Sequence, residues 1–163
     1  MSSASSEEEV LRKLDLRVKE IMRSDPVTIG ADATVLQAAR AMEKQDSSYA
    51  FVRSKKGIVG IVTERDIARR VVGRGASPIK TKVESVMTSP MIVISPDAKI
   101  EEALDVMVKN KVRRLPVIDE KLGMTGLVSV SDIAKALEEK AGYSSSLITA
   151  MTKESVPRSG VYG

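Results

Sequence analysis

The chain has 163 residues, of which 42% are hydrophobic and 29% are charged, and its formal net charge is +4. This length fits one compact domain or two small packed halves, and the core must be aliphatic because aromatic residues make up only 2%. The absence of cysteine and histidine excludes disulfides, thiolate nucleophiles, zinc sites of the usual kind and imidazole acid–base catalysis. The positive balance is compatible with anionic ligands, from nucleotides to nucleic acid, and equally with solvated helix faces.

The distribution of apolar residues also bears on localisation. No run approaches the roughly 20 apolar residues that a transmembrane helix needs. The first nine residues are polar and acidic, unlike a secretory signal. We therefore expect a cytoplasmic protein with no membrane partner.

The first half of the chain predicts an extension followed by a repeat of mixed strands and helices. Residues 1–16 are expected to form a helical extension, with a short helix over residues 6–16. Residues 17–74 then form the first repeat, in the order strand, helix, strand, strand, helix. The predicted elements are a short segment at Val18–Met22, strands at Val27–Ile29, Tyr49–Val52 and Ile58–Val62, and helices at Thr34–Lys44 and from Thr63 to about Val72.

The second half predicts the same order again. A linker rich in turn-forming residues covers residues 75–82, the second repeat covers residues 83–140, and residues 141–163 form a partly disordered tail. In that tail Leu147, Ile148 and Met151 could dock as one helical turn. The repeat should contain strands at Met91–Ile94, Leu115–Ile118 and Met124–Val128, a helix with the apolar stripe Ile100, Ala103, Leu104 and Met107, and a final helix from Val130 to about Lys140. Pro116 should occupy a strand position that needs no ladder donor.

The two repeats can be aligned residue by residue. Met22 matches Met87 at an offset of 65 residues, and after one insertion near Lys121 the offset is 66, so that Gly60 matches Gly126. A unit of this size cannot bury its apolar face alone. We therefore expect the copies to pack face to face about an approximate two-fold axis, with two equivalent clefts between them.

The repeat resembles the CBS domain, named after cystathionine β-synthase, and two copies in one chain resemble the tandem pair of that family. The resemblance covers about residues 17–140 and is most specific at Gly60–Ile67, Val112–Val117 and Gly126–Ile133. It implies an α/β (α+β-like) fold of two β-α-β-β-α repeats and a non-catalytic sensor that binds an adenine nucleotide or an S-adenosyl ligand in its clefts. It also implies a homodimer in which the helices starting at Glu64 and Val130 supply much of the contact. The stripe Ile67, Val71, Ile133, Ala134 and Leu137 fits this contact, and it fits the intramolecular core as well.

The most specific motif of each repeat is a Ser or Thr followed three residues later by Asp. Thr63 with Asp66, and Ser129 with Asp132, each precede an apolar run, which is the pattern of a helix capping box. Capping does not exclude ligand binding, because the start of a helix also attracts phosphate. The resemblance implies that the two aspartates bind a ribose and that Thr63 and Ser129 lie beside the sugar and phosphates.

The resemblance implies two ligand sites that are unequally equipped. The site of the second-repeat aspartate would contain Met22, Val27, Ser47, Tyr49, Arg113, Arg114, Ser129, Ser131 and Asp132. Its two arginines would grip phosphate oxygens, although such a basic pair can also be solvated. The site of the first-repeat aspartate would contain Thr63, Arg65, Asp66, Met87, Ile92, Val112 and Leu115. There Ser48 and Tyr49 take the places of the two arginines, and Arg65 could compensate.

These assignments favour AMP, ADP or ATP as the ligand over S-adenosylmethionine, with no cofactor or metal required and with an unknown regulated protein as partner. Two alternatives remain open. A nucleic-acid binder is suggested by the basic residues Arg65, Arg69, Arg70 and Arg74, but few aromatic residues are present for base stacking. A scaffold with empty clefts is the other. An enzyme is not expected, because the sequence lacks a nucleophile–base set, a metal-ligand cluster and a phosphate loop.

Overall fold

The computed structural model describes residue 12 and residues 14–142. The first unit contains Asp25–Ile92, and the second unit combines the described residues up to Ser24 with those from Val93 onward. Most of the helix predicted over residues 6–16 lies outside the described residues. The predicted tail beyond Gly142, with Leu147, Ile148 and Met151, lies outside them as well.

The secondary structure follows the predicted order in the first repeat, and in the second repeat from its first helix onward. In chain order the elements are α1 (Val18–Ile21), β1 (Thr28–Gly30), α2 (Val35–Lys44), β2 (Tyr49–Ser54), β3 (Gly57–Thr63), α3 (Glu64–Arg70), 3-10 turns at Val72–Arg74 and Val83–Ser85, α4 (Ile100–Asn110), β4 (Arg114–Asp119), β5 (Gly123–Ser129) and α5 (Val130–Ala141). The α+β-like fold class is thereby confirmed. The helix predicted to reach about Val72 ends at Arg70 and continues as the first 3-10 turn.

The first unit contains a three-stranded sheet in the order β1-β2-β3, in which β1 runs parallel to β2 and β2 antiparallel to β3. Helix α2 begins at a capping box, where the N–H of Gln37 donates to Oγ1 of Thr34 at 3.2 Å. Its buried residues Val35, Ala38 and Met42 join the core of this unit. The i, i+3, i+7 spacing of these residues explains why one stripe of the helix is buried.

The second unit contains a two-stranded antiparallel sheet, β4-β5, covered by helices whose buried residues include Ile100, Ala103 and Met107. Pro116 lies opposite Leu127, whose carbonyl accepts from the N–H of Arg23 at 2.8 Å instead. The prediction that Pro116 needs no ladder donor toward its hairpin partner is therefore confirmed.

The strand predicted at Met91–Ile94 is wrong, because only Ile94 pairs, as an isolated bridge to Val117. In the first repeat the N–H of Phe51 donates to the Val27 carbonyl at 2.8 Å and extends the pairing of β1 with β2. The residue that matches Phe51 is Pro116, which has no N–H to donate. The second repeat therefore forms an isolated bridge at Ile94 in place of this strand.

The first residues of each repeat pack on the hairpin of the other repeat. Arg23 and Leu127 exchange two main-chain hydrogen bonds in the second unit. Thr88 and Ile61, at the matching positions, do the same in the first unit. We call residues 17–24 the first leading segment and residues 83–88 the second leading segment. The second unit is thus assembled from parts that are distant in sequence, whereas the described part of the first unit is one continuous stretch.

Candidate functional site

Asp132 forms the predicted capping box at the start of α5. Its Oδ2 accepts hydrogen bonds from the N–H of Ser129 at 2.9 Å and from Ser129 Oγ at 2.7 Å. In return the N–H of Asp132 donates to Ser129 Oγ at 3.2 Å. The Asp132 side chain is only 9% exposed. The helix start therefore holds this carboxylate in one orientation.

Asp66 has the same arrangement at the start of α3. Its Oδ2 accepts from the N–H of Thr63 at 2.9 Å and from Thr63 Oγ1 at 3.0 Å. Both residues are buried, Thr63 at 3% and Asp66 at 5% exposure. The capping interpretation of the two motifs is thus confirmed at both positions.

The capping bonds occupy one oxygen of each aspartate and leave Oδ1 to interact with other groups. In the second unit Nε of Arg23 donates to Oδ1 of Asp132 at 3.0 Å, across 109 residues of sequence. In the first unit Nη2 of Arg70 lies 3.5 Å from Oδ1 of Asp66. Each buried carboxylate is therefore paired with a guanidinium, as a buried charge requires.

No sequence pattern assigns Arg23 to a site. It neighbours the predicted site residue Met22, but an arginine 109 residues from its aspartate carries no local signal. The sequence indicates Arg70 only as part of a basic stretch. Its Nη1 donates to the carbonyl oxygens of Val86 at 2.7 Å and Met87 at 3.2 Å. Arg70 therefore points into the first unit.

Met22 and Met87 lie in equivalent positions over the hairpins of their units. A β-carbon at Gly126 would come within 3.0 Å of Met22 Sδ, and one at Gly60 within 2.5 Å of Met87 Sδ. The structure thus brings Met22 into the unit that contains Asp132, and Met87 into the unit that contains Asp66.

The other predicted site residues are divided between the two units. Arg113, Arg114, Ser129 and Ser131 belong to the unit of Asp132, and the carbonyl of Arg113 accepts from the N–H of Val130 at 2.9 Å. Thr63, Arg65 and Ile92 belong to the unit of Asp66. Val27, Ser47 and Tyr49, assigned to the Asp132 site, lie in the first unit, and Val112 and Leu115, assigned to the Asp66 site, lie buried in the second. Their assignment to these sites stays a prediction.

Ser47 has a local structural role. Its Oγ donates to the carbonyl of Tyr49 at 2.8 Å and accepts from the N–H of Tyr49 at 3.3 Å. The same residue lines an open groove of about 700 Å³ in the first unit, together with Met42, Glu43 and Glu64. The Ser47 hydroxyl therefore fixes the chain before β2, with its donor hydrogen committed to the main chain.

A metal-binding cluster and a membrane-spanning helix are both absent from the described residues. Within residues 14–142 and residue 12, the acidic side chains form no cluster of three or more that could hold a metal ion. In the same part of the chain, no helix combines the length and the apolar character needed to cross a bilayer.

Comparison with known proteins identifies the repeats. The sequence model described as "CBS domain" matches residues 18–73 and again residues 83–139. The chain belongs to the CBS domain family. The two adjacent matches confirm the tandem pair, and the CBS repeats carry the capping aspartates Asp66 and Asp132.

Two relatives illustrate the extent of the similarity within the CBS family. The CBS domain-containing protein CBSX3, mitochondrial, of Arabidopsis thaliana is 38% identical over 112 residues, which cover 65% of this chain and 53% of that protein. The uncharacterized protein MK0525 of Methanopyrus kandleri is 32% identical over 117 residues, which cover 71% of this chain and 60% of that protein. The match thus spans little more than half the length of these two relatives.

A solved structure of a CBS pair has the same fold and contains bound ligands. The CBS domain pair of protein MJ0100, in complex with 5′-methylthioadenosine and S-adenosyl-L-methionine, aligns with a TM-score of 0.67 and 25% sequence identity. The alignment covers 77% of this chain and 98% of that chain. Both ligands of that protein contain an adenosine group.

Proposed function

We propose that this CBS pair is a non-catalytic regulatory module that binds AMP, ADP or ATP beside Asp132 and Asp66. The observation that carries the proposal is the pair of equivalent, buried aspartates, each held by its capping bonds and each presenting Oδ1 to a guanidinium. The adenosyl ligands of the MJ0100 pair support the class of ligand. A protein that binds such a ligand without chemistry needs no nucleophile or metal cluster.

The carboxylates are suited to the hydroxyl groups of a ribose. An ionised carboxylate offers about four lone-pair sites. At Asp132 the capping bonds and Arg23 use three of them. A sugar hydroxyl can therefore donate to Oδ1 either beside the guanidinium or in its place.

Charge favours a phosphorylated ligand at the Asp132 site. Arg113 and Arg114 lie in the same unit as Asp132, at the start of β4. Guanidinium groups bind phosphate oxygens through paired, charge-assisted hydrogen bonds. The matching positions in the first repeat are Ser48 and Tyr49, so the proposal includes unequal affinities of the two sites.

The nucleic-acid alternative is weakened by the position of Arg70. This residue is one of the four arginines of the proposed basic stretch, yet it binds main-chain carbonyls and Asp66. A contact to phosphate would have to break those bonds. We therefore favour the nucleotide-binding module.

The proposal includes a homodimer, but most of the stripe predicted to form its contact surface is buried within the single chain. Val71 is part of the core of the first unit, and Ile133, Ala134 and Leu137 are no more than 7% exposed in the single chain. These residues of the predicted stripe are therefore unsuited to a contact surface. Light scattering coupled to size exclusion tests the dimer, and a monomeric mass at high concentration, with and without AMP, contradicts it.

The function is tested by calorimetry and thermal shift with AMP, ADP, ATP, S-adenosylmethionine and GMP. The adenine nucleotides should raise the melting temperature, because a ligand at one hundred times its Kd stabilises the folded state by about 2.7 kcal/mol. Asp132→Asn and Asp66→Asn should each weaken one site, since an amide is a poorer acceptor for a sugar hydroxyl. The proposal fails if no adenine ligand binds, if GMP binds equally well, or if both variants bind like the wild type.

A further inference from the structure

The two capping aspartates receive their guanidinium from opposite parts of their units. Asp66 is paired with Arg70, four residues later on its own helix, and Asp132 with Arg23 of the first leading segment. The residue matching Arg70 in the second repeat is Ala136, and the residue matching Arg23 is Thr88. Each unit thus contains an arginine at one of the two positions and a small residue at the other.

The two arginines differ in how firmly they are held. Arg70 is 36% exposed, and its Nη1 is bound to the carbonyls of Val86 and Met87, which leaves little freedom to move. The side chain of Arg23 is 66% exposed. In the part of the chain that the structure describes, it donates only to Asp132, through Nε. The guanidinium of this pair is largely solvated, so Arg23 can leave Asp132 for another acceptor once a second donor takes its place at the buried carboxylate.

We propose that Arg23, in addition to Arg113 and Arg114, makes the Asp132 site selective for ligands with a phosphate group. This inference rests on the proposed function. When a nucleotide binds, a ribose hydroxyl takes the place of Nε at Oδ1 of Asp132, and the guanidinium of Arg23 turns to the phosphate. The buried carboxylate is never left without a donor, and the arginine exchanges a single bond for a charge-assisted fork.

Arg70 does not perform this exchange at Asp66. Turning toward a ligand would leave the carbonyls of Val86 and Met87 without the guanidinium donors they now have. The Asp66 site therefore has a fixed guanidinium that supports the carboxylate. The two sites therefore differ in phosphate affinity for two reasons. Arg23 can move at the Asp132 site whereas Arg70 is fixed at the Asp66 site, and the Asp66 site also lacks counterparts of Arg113 and Arg114.

The test compares AMP with adenosine, which have the same base and sugar but differ in the phosphate. Calorimetry on the wild type should show tighter binding of AMP at the site that Asp132→Asn weakens. Arg23→Ala should reduce the ratio of AMP to adenosine affinity at that site at least tenfold, with adenosine bound as well as before or better. Arg70→Ala is the matched control and should leave that ratio unchanged. Arg23→Lys keeps the charge and should restore part of the ratio.

The outcomes separate this inference from the proposed function. If the wild type binds neither ligand, the proposed function fails and this inference with it. If the wild type binds both but Arg23→Ala leaves the affinity ratio unchanged, or weakens both ligands equally, the function stands and the role of Arg23 is overturned. A similar fall of the ratio in Arg70→Ala also overturns it. Because Arg23→Ala removes the guanidinium from a carboxylate that is only 9% exposed, the melting temperature of the unliganded protein should fall, so affinities are compared at a temperature at which each variant is folded.

Discussion

The main chain of Arg23 passes so close to Gly126 that a β-carbon at position 126 would overlap the Arg23 carbonyl oxygen. The same approach occurs in the first unit, where a β-carbon at Gly60 would lie 2.9 Å from the carbonyl oxygen of Thr88. Glycine at these positions thus lets the leading segment pair with the hairpin strand. The glycine also brings Arg23, and with it the donor to Asp132, into place.

Gly126→Ala is therefore expected to push the first leading segment away from β5 and to destabilise the protein by about 1–3 kcal/mol, as overpacking usually does. The backbone oxygen of Arg23 cannot rotate away as a side chain can. Urea unfolding followed by circular dichroism measures the loss. Adenine nucleotide affinity should fall in the same variant, because Met22 and Arg23 move with the segment.

Gly30→Ala is the matched control for this substitution. The near neighbour of a β-carbon there is Oδ1 of Asp32 at 2.8 Å, the end of a flexible side chain. Gly30→Ala should change the free energy of unfolding, relative to the wild type, much less than Gly126→Ala does. Equal losses in the two variants would show that glycine at position 126 is not needed for the close approach of Arg23.

The buried hydroxyl of Thr63 gives a second prediction. Thr63→Ala removes the acceptor for the N–H of Asp66 and one of the donors to its Oδ2. We expect a loss of about 1–2 kcal/mol in the free energy of unfolding, as for other capping residues. Thr63→Ser keeps the hydroxyl and should lose clearly less. If Ser and Ala cost the same, the stabilising part of Thr63 is its methyl group and not its capping bond.

The parts of the fold that the sequence predicted well are those determined by neighbouring residues. The capping boxes at Asp66 and Asp132 involve residues three positions apart, and the buried stripe of α4 repeats within one helix. The pairing of Arg23 with Asp132 depends on how a leading segment meets a distant hairpin, which no local pattern encodes. The missing strand at Met91–Ile94 is an intermediate case. The sequence shows that Pro116 lacks an N–H donor. That this loss removes the strand at Met91–Ile94 follows only from the bond between Phe51 and Val27 at the matching positions of the first repeat.

Lys111 ends α4 in a left-handed conformation, with φ of 54° and ψ of 40°. An L-residue with a β-carbon is strained there, whereas glycine is not. Lys111→Gly should therefore stabilise the protein by about 0.5–1 kcal/mol. Asp46 occupies the matching position after α2, with φ of 49°. Aspartate tolerates this conformation better, so Asp46→Gly should gain less. Thermal unfolding of both variants checks the order, and a destabilised Lys111→Gly would contradict it.

Asp97 fixes the first leading segment to the second repeat and should report on that contact by its titration. Nζ of Lys19 donates to Oδ1 of Asp97 at 2.7 Å, and this hydrogen bond, followed by the charge of Lys19, lowers the pKa of Asp97 below its ordinary value of 3.8. The pKa is lower in the folded state than in the unfolded state. The contribution to stability is therefore fully present above the unfolded value and is lost as the pH falls through the folded one.

Lys19→Ala should raise the pKa of Asp97 toward 3.8, as measured by NMR titration of its carboxyl carbon. Arg17→Ala is the control and should have a smaller effect, because the charge of Arg17 is the weakest of the causes that lower this pKa. A titration of Asp97 that is the same in Lys19→Ala as in the wild type would show that the pair does not persist in solution. The first leading segment would then be held to the second repeat by its main-chain bonds, such as that from the N–H of Val18 to the carbonyl of Ala98 at 2.9 Å.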